Sequence, residues 1–142
     1  MAVRCYNPNR KTQDMDILVN NSKRNASNIA ESLISITEVD FDQKVVKRFI
    51  DTFKNIKQLF KLNEGSILTD LMTPVSEQFN FNLILKGSEK RQIFGLPVHV
   101  ASPNDLIKML KFTQNNQSQS NEYDKLNKLK YDIQFLREYI TK

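Results

Sequence analysis

The stretch "RKTQDMDILV", residues 10–19, is the part of the sequence that decides the fold. In it, Asp14 and Asp16 alternate with an apolar residue and lead directly into an apolar run. This alternation predicts a strand over residues 14–19, with the two aspartates on one face and apolar side chains on the other. The two carboxylates would then lie about 7 Å apart at the mouth of a buried strand.

Two carboxylates at this separation repel each other, and the neighbouring apolar residues imply poor solvation, so a purely structural role would cost stability. A divalent cation removes that cost, because Mg²⁺ binds one or two carboxylates and completes its shell with water and phosphate oxygens. Two such ions about 3.5–4 Å apart form a clamp for in-line phosphoryl or nucleotidyl transfer. The D-x-D pattern also occurs at solvated strand edges that bind no ion, so both interpretations stay open at this point.

The composition indicates an ordinary globular protein of 142 residues, which predicts a single domain over residues 1–142. Lys and Arg number 21 against 16 Asp and Glu, and the net charge of +5 favours polyanionic partners, although a solvated lysine-rich surface explains it equally well. No apolar run approaches the roughly 20 residues of a membrane helix, and residues 1–11 lack the apolar core of a signal peptide. Cys5 is the one cysteine, so we expect a reducing, cytoplasmic compartment and no membrane association.

Apolar spacing predicts interspersed strands and helices, and therefore an α/β or α+β fold with a small mixed β-sheet covered by helices. Helices are expected over residues 25–36, 41–53, 103–114 and 122–141. The first would be capped by Ser22 or Asn25, and the third by Ser102 ahead of Pro103. A hairpin is expected around the turn at residues 63–65, a strand or a short helix over 79–85, and a strand over 98–101 after a turn at 95–97. Residues 114–121 are polar and predict a flexible connection.

The last predicted helix carries apolar residues spaced 3, 4, 3 and 4 apart, at Leu126, Leu129, Ile133, Leu136 and Ile140. This seam extends over fewer heptads than a coiled coil requires. It favours packing on the domain's own sheet, with a homodimer or another protein partner as the alternative.

Residues 10–19 resemble the R-x-T-x-D-x-D signature of minimal nucleotidyltransferases in the DNA polymerase beta superfamily, closest to the branch that includes abortive-infection-type toxins. Three later segments are similar to further family motifs in the family's order. These are "ILTDLMT" at 67–73, "GLPVHVASPNDLIKMLK" at 95–111 and "DIQFL" at 132–136. The resemblance covers most of the chain and implies a nucleotidyltransferase-like fold with a C-terminal helix.

The resemblance also implies functional residues. Asp14, Asp16 and Asp70 would be catalytic ligands of Mg²⁺ or Mn²⁺, and Asp70 would assist deprotonation of the attacking hydroxyl. The nucleotide-binding residues would be Arg10, Thr12, Lys108 and Lys111. The lysines would neutralise phosphate charge, Arg10 would do so or pair with a carboxylate, and Thr12 would order the turn before the strand. The implied activity transfers a nucleoside monophosphate from an NTP to a hydroxyl of RNA or protein.

The departures from the family pattern concern phosphate binding. The family's Gly-Gly or Gly-Ser element precedes the position that Ala2 and Val3 match, so we expect the chain to be truncated before it, unless Met1 is not the natural start. Asn7 replaces a family glycine, and Leu110 stands where the family has a lysine. The alternative is therefore a catalytically degenerate binding module related to toxin–antitoxin or phage-defence systems.

A weaker interpretation is a small basic RNA-binding domain, which would bind nucleic acid with salt sensitivity and no metal requirement. The basic segment "KGSEKRQ", residues 86–92, is predicted as a turn that either contacts nucleic acid or is simply solvated. His99 is expected to be partly exposed on the face opposite its valine neighbours, and a lone histidine is poor evidence for zinc.

Overall fold

A computed structural model describes residues 2–12, 14–37, 42–64, 67–116 and 123–142. The strands in these ranges are β1 Asp14–Leu18, β2 Leu59–Glu64, β3 Ile67–Met72, β4 Glu89–Ile93 and β5 Leu96–Val100. The helices are α1 Lys23–Thr37, α2 Gln43–Phe53, α3 Phe81–Gly87, α4 Pro103–Asn116 and α5 Tyr123–Ile140. The expected mixed α and β architecture with a C-terminal helix is confirmed.

The chain divides into two compact units. The central unit is Asp14–Asn82, and the terminal unit combines Met1–Gln13 with Leu83–Lys142. Each unit has its own sheet and its own apolar core, and each is described separately below.

The central unit contains a three-stranded sheet in the order β1-β3-β2, in which β1 is parallel and β2 antiparallel to β3. One face of this sheet packs against α1 and α2 around Val19, Ala26, Phe53 and Leu71. The Phe49 ring stacks on Phe53 at a centroid distance of 4.6 Å, because residues four apart lie on one face of a helix. The predicted hairpin of β2 and β3 is confirmed, but residues 63 and 64 of the predicted turn belong to β2.

Side-chain caps fix where the helices begin. The Ser22 hydroxyl accepts a hydrogen bond from the Asn25 backbone N–H at 3.3 Å, so Ser22 rather than Asn25 caps α1. Asp42 accepts from the Lys44 N–H at 2.7 Å, so α2 begins at residue 43, whereas the predicted residue 41 lies outside the described residues. Ser102 accepts from the Asp105 N–H at 3.2 Å and caps α4 as predicted.

The terminal unit packs α4 and α5 against the β4–β5 hairpin. Its buried core comprises Tyr6, Val100, Leu106, Ile107, Ile133 and Leu136. Leu136 is completely buried and lies in the same core as Val100 of β5. This agrees with the prediction that the apolar seam of the last helix packs on the domain's own sheet. The more distal Ile140 is 44% exposed. Self-association through α5 stays a prediction.

Of the strand and the short helix considered for residues 79–85, the strand is wrong and the helix is confirmed, because residues 81–87 form α3. The Asn80 side chain accepts a hydrogen bond from the Asn82 backbone N–H at 2.9 Å and so supplies a helix cap. Phe79 and Ile84 are buried whereas Leu83 is 62% exposed, so burial does not follow the period of two that a strand would show.

The turn predicted at residues 86–92 is wrong, and of the turn predicted at residues 95–97 only Gly95 lies in the observed turn. Strand β4 begins at Glu89, and the turn of the β4–β5 hairpin consists of Phe94 and Gly95. Pro97 lies in β5 opposite Gln92, which is compatible with a two-stranded sheet in which every strand is an edge.

Candidate metal centre

The two aspartates of β1 and the aspartate of β3 lie together on one face of the central sheet. β1 and β3 are parallel neighbours, and Asp16 is paired directly with Asp70. Asp14 projects from the same face as Asp16 because it is two residues earlier in the strand. Carboxylate oxygens of the three residues, one from each, lie within 4.8 Å of one another.

This acidic face is open to solvent. Asp14 and Asp16 are exposed and Asp70 is half-buried, whereas the opposite face of the sheet packs against α1 and α2. Mg²⁺ dehydrates reluctantly, and it usually combines one or two carboxylates with waters and substrate phosphates. A set of oxygen ligands on an accessible face therefore fits Mg²⁺ or Mn²⁺, and it offers neither the imidazole nor the thiolate that favours zinc.

The strand that carries Asp70 is held firmly at its end by Thr73. This side chain is 1% exposed, and its hydroxyl accepts a hydrogen bond from the Gln58 backbone N–H at 2.9 Å. The Thr73 N–H in turn donates to the Gln58 carbonyl at 3.0 Å, and the Val19 N–H donates to the Met72 carbonyl at 2.9 Å. These bonds fix the ends of the paired strands and so restrict how far the carboxylates move apart.

Lys61 is a residue near the acidic face that the sequence analysis missed. It lies on β2 directly opposite Asp70, so one row across the sheet contains Asp16, Asp70 and Lys61. Side chains of directly opposed residues project from the same face, with Cβ atoms about 4.5–5.5 Å apart. Lys61 is exposed, and its ammonium group adds a positive charge beside the three carboxylates.

We expect Lys61→Met to raise the affinity of the chain for Mn²⁺ by about 5-fold, because a unit charge and a dication about 8 Å apart in water repel by about 1 kcal/mol. Titration calorimetry at low ionic strength measures this change. Lys44→Met is the matched control, since Lys44 lies on α2, which packs against the other face of the sheet. An equal gain in Mn²⁺ affinity in Lys61→Met and Lys44→Met would show that the effect comes from net charge alone.

Arg10 lies in the terminal unit and forms a two-pronged ion pair with Asp132 of α5. The Arg10 Nε is 2.8 Å from Asp132 Oδ1, and Nη2 is 2.9 Å from Oδ2. The Asp132 side chain is 2% exposed and that of Arg10 is 18% exposed. Of the two roles considered for Arg10, the structure therefore displays the pairing with a carboxylate.

The other residues expected to belong to the nucleotide-binding set also lie in the terminal unit. Lys108 is exposed on α4, with its Nζ 3.4 Å from Asp105, and Lys111 is exposed three residues further along the same helix. Thr12 is half-buried. Whether these three residues bind nucleotide stays a prediction, whereas the three aspartates are brought together within the central unit.

The fold has a counterpart of known structure. The crystal structure of an antigenic nucleotidyltransferase-like protein from Paracoccidioides brasiliensis matches this chain with a TM-score of 0.55 and 20% sequence identity. The match covers 95% of this chain and 63% of that protein, so the chain spans less than two thirds of its counterpart's length. The fold defined by the described residues is therefore nucleotidyltransferase-like.

Sequence comparison adds no family assignment. No protein-family profile matches the chain, and no curated protein matches it in sequence. In the part of the chain that the structure describes, no helix combines the length and apolar character needed to cross a bilayer.

Proposed function

We propose that this chain is a metal-dependent nucleotidyltransferase, which transfers a nucleoside monophosphate from an NTP to a hydroxyl group of RNA or protein. The observation that carries the proposal is the convergence of Asp14, Asp16 and Asp70 within 4.8 Å in a nucleotidyltransferase-like fold. Acidic clusters are common on protein surfaces, but here the three carboxylates come from the two strands that a parallel pairing fixes side by side.

In this proposal the three aspartates hold Mg²⁺ or Mn²⁺, which would supply charge neutralisation for the triphosphate. The acceptor oxygen forms a bond to the α-phosphorus, the bond from that phosphorus to the oxygen bridging the β-phosphate breaks, and pyrophosphate leaves. Asp70, which is half-buried, takes the proton of the acceptor hydroxyl. Lys61, opposite Asp70, offers a positive charge to the triphosphate.

The sequence signature around Asp14 and Asp16 is most similar to that of abortive-infection-type toxins. The single cysteine is compatible with a reducing cytoplasmic compartment. A role in a toxin–antitoxin or phage-defence system is part of the proposal on that basis. Lys108 and Lys111 would bind phosphate groups of the nucleotide.

The direct test is calorimetric titration of the chain with each of the four NTPs, with and without Mn²⁺, followed by incubation with α-phosphate-labelled NTP, RNA and protein acceptors. We expect binding only when the metal is present, and metal-dependent transfer of label to one acceptor class. Absence of metal-dependent NTP binding would refute the proposal. Binding without transfer to any acceptor would favour the degenerate binding module.

A further inference from the structure

The turn of the β4–β5 hairpin contains an aromatic residue, Phe94, in a backbone conformation that disfavours bulky side chains. Phe94 and Gly95 form the two-residue turn and have φ values of 52° and 78°. Two-residue turns with positive φ at both positions prefer Asn-Gly or Asp-Gly, and a bulky side chain at positive φ is a genuine outlier. The Phe94 side chain is 77% exposed, so burial of its ring does not offset the cost of the positive φ.

The solvent-facing side of the same hairpin is polar and positively charged. Lys90 is paired with His99, and Gln92 with Pro97, on the face opposite the one that packs on the core through Val98 and Val100. All four residues of this open face are exposed. Ser88 Oγ donates to the Leu85 carbonyl at 2.6 Å and lies 2.9 Å from His99 Nδ1, so the His99 ring is held against the start of the hairpin.

The one acidic residue of the hairpin is neutralised within the terminal unit. Glu89 lies 2.6 Å from the Arg91 guanidinium, which also sits 5.1 Å from the centre of the Tyr6 ring and contacts the Tyr139 hydroxyl at 3.4 Å. The bonds to Tyr139 and Glu89 raise the pKa of Arg91, so its guanidinium stays charged beside the Glu89 carboxylate. The charge that remains available at the hairpin is therefore that of Lys90.

We propose that this hairpin binds single-stranded nucleic acid, with a base stacked on the Phe94 ring and a backbone phosphate beside Lys90. Exposed aromatic rings beside cations are the elements that bind single strands without strict sequence preference, because every base has a π-face. The net charge of +5 favours the same polyanionic partner. The surface lies wholly within the terminal unit and does not depend on the proposed transferase activity.

The test measures fluorescence anisotropy of a labelled ten-nucleotide oligo(U) with the full chain at low salt, in EDTA and without nucleotide, so that the metal centre plays no part. We expect Phe94→Asn to bind about 5- to 100-fold more weakly, the range for loss of one stacked base. The same variant is expected to melt at a higher temperature, because Asn suits positive φ. Lost binding therefore cannot be attributed to unfolding.

Two further substitutions at Phe94 separate stacking from other contacts. Phe94→Tyr keeps the aromatic ring and is expected to bind as the wild type does. Phe94→Leu keeps an apolar side chain without a π-face and is expected to bind as weakly as Phe94→Asn. Tyr131→Ala, which removes an exposed aromatic residue of α5, is the matched control and should leave binding unchanged.

Three outcomes would overturn the proposal. The first is failure of the wild-type chain to bind the oligonucleotide in EDTA at low salt. The second is binding of Phe94→Leu equal to that of the wild type, which would indicate an apolar surface for a protein partner instead. The third is a loss of binding in Tyr131→Ala as large as that in Phe94→Asn, which would indicate non-specific adhesion to aromatic residues.

Discussion

Asp16→Asn is expected to weaken Mn²⁺ binding by on the order of 100-fold or more and to remove metal-dependent nucleotide binding. Asp16 is paired directly with Asp70 across two parallel strands, so its carboxylate lies at the centre of the cluster formed by Asp14, Asp16 and Asp70. Mutation of residues that merely support metal ligands already costs 10–100-fold in affinity, and loss of a ligand's charge should cost at least as much. Calorimetric titration with Mn²⁺ measures the effect.

Asp51→Asn provides the matched control. Asp51 is an aspartate of the same unit whose side chain is 47% exposed, and its pKa is lowered chiefly by its hydrogen bond to Lys54. It lies on α2 and is not one of the three clustered aspartates, so its replacement should leave the affinity for Mn²⁺ unchanged. Equal losses in Asp16→Asn and Asp51→Asn would contradict a localised metal centre.

Thermal stability in EDTA gives a second readout for Asp16→Asn. Three carboxylates within 4.8 Å repel one another when no cation is bound. We therefore expect the variant to melt at the same temperature as the wild type or higher in EDTA, and to lose the stabilisation that Mn²⁺ gives the wild type. A lower melting temperature in EDTA would show that Asp16 has a structural role instead.

Much of the candidate metal centre was accessible from the sequence. The period of two in β1 fixed Asp14 and Asp16 on one face, and the similarity of residues 67–73 to a family motif identified Asp70. Lys61 was missed because its position depends on the register of the hairpin. A turn at residues 63–65 would set Gln58 opposite Asp70, whereas the observed pairing of Glu64 with Ile67 sets Lys61 there.

The fold was predictable where amphipathic patterns are long, and it was not where elements are short. The caps at Ser22 and Ser102, and the burial of Ile133 and Leu136 in the apolar seam of α5, follow from local sequence. Helix α3 has seven residues and β4 has five, so neither contains enough periods to separate helix from strand. The turn at Phe94 was missed because phenylalanine has no preference for positive φ.

Arg10→Met is expected to destabilise the chain by about 3–5 kcal/mol, the usual cost of leaving a buried charge without its partner. Asp132 is 2% exposed and accepts the Arg10 guanidinium through both carboxylate oxygens. Water cannot replace the lost donors easily at that depth. Urea unfolding, followed by circular dichroism, measures the change. An effect below about 1 kcal/mol, which is typical of a surface ion pair, would contradict the buried pairing.

The double variant Arg10→Met/Asp132→Leu distinguishes a structural from a nucleotide-binding role for Arg10. Replacing a buried ion pair by apolar residues of similar volume is often neutral or stabilising, so the double variant should recover most of the stability lost in Arg10→Met. If Arg10 acts only through Asp132, the recovered protein binds NTP with Mn²⁺ as the wild type does. If Arg10 contacts the nucleotide phosphates instead, stability returns while the affinity for NTP stays low. The two roles that the sequence left open for Arg10, pairing with a carboxylate and binding phosphate, therefore predict opposite results for the NTP affinity of this double variant.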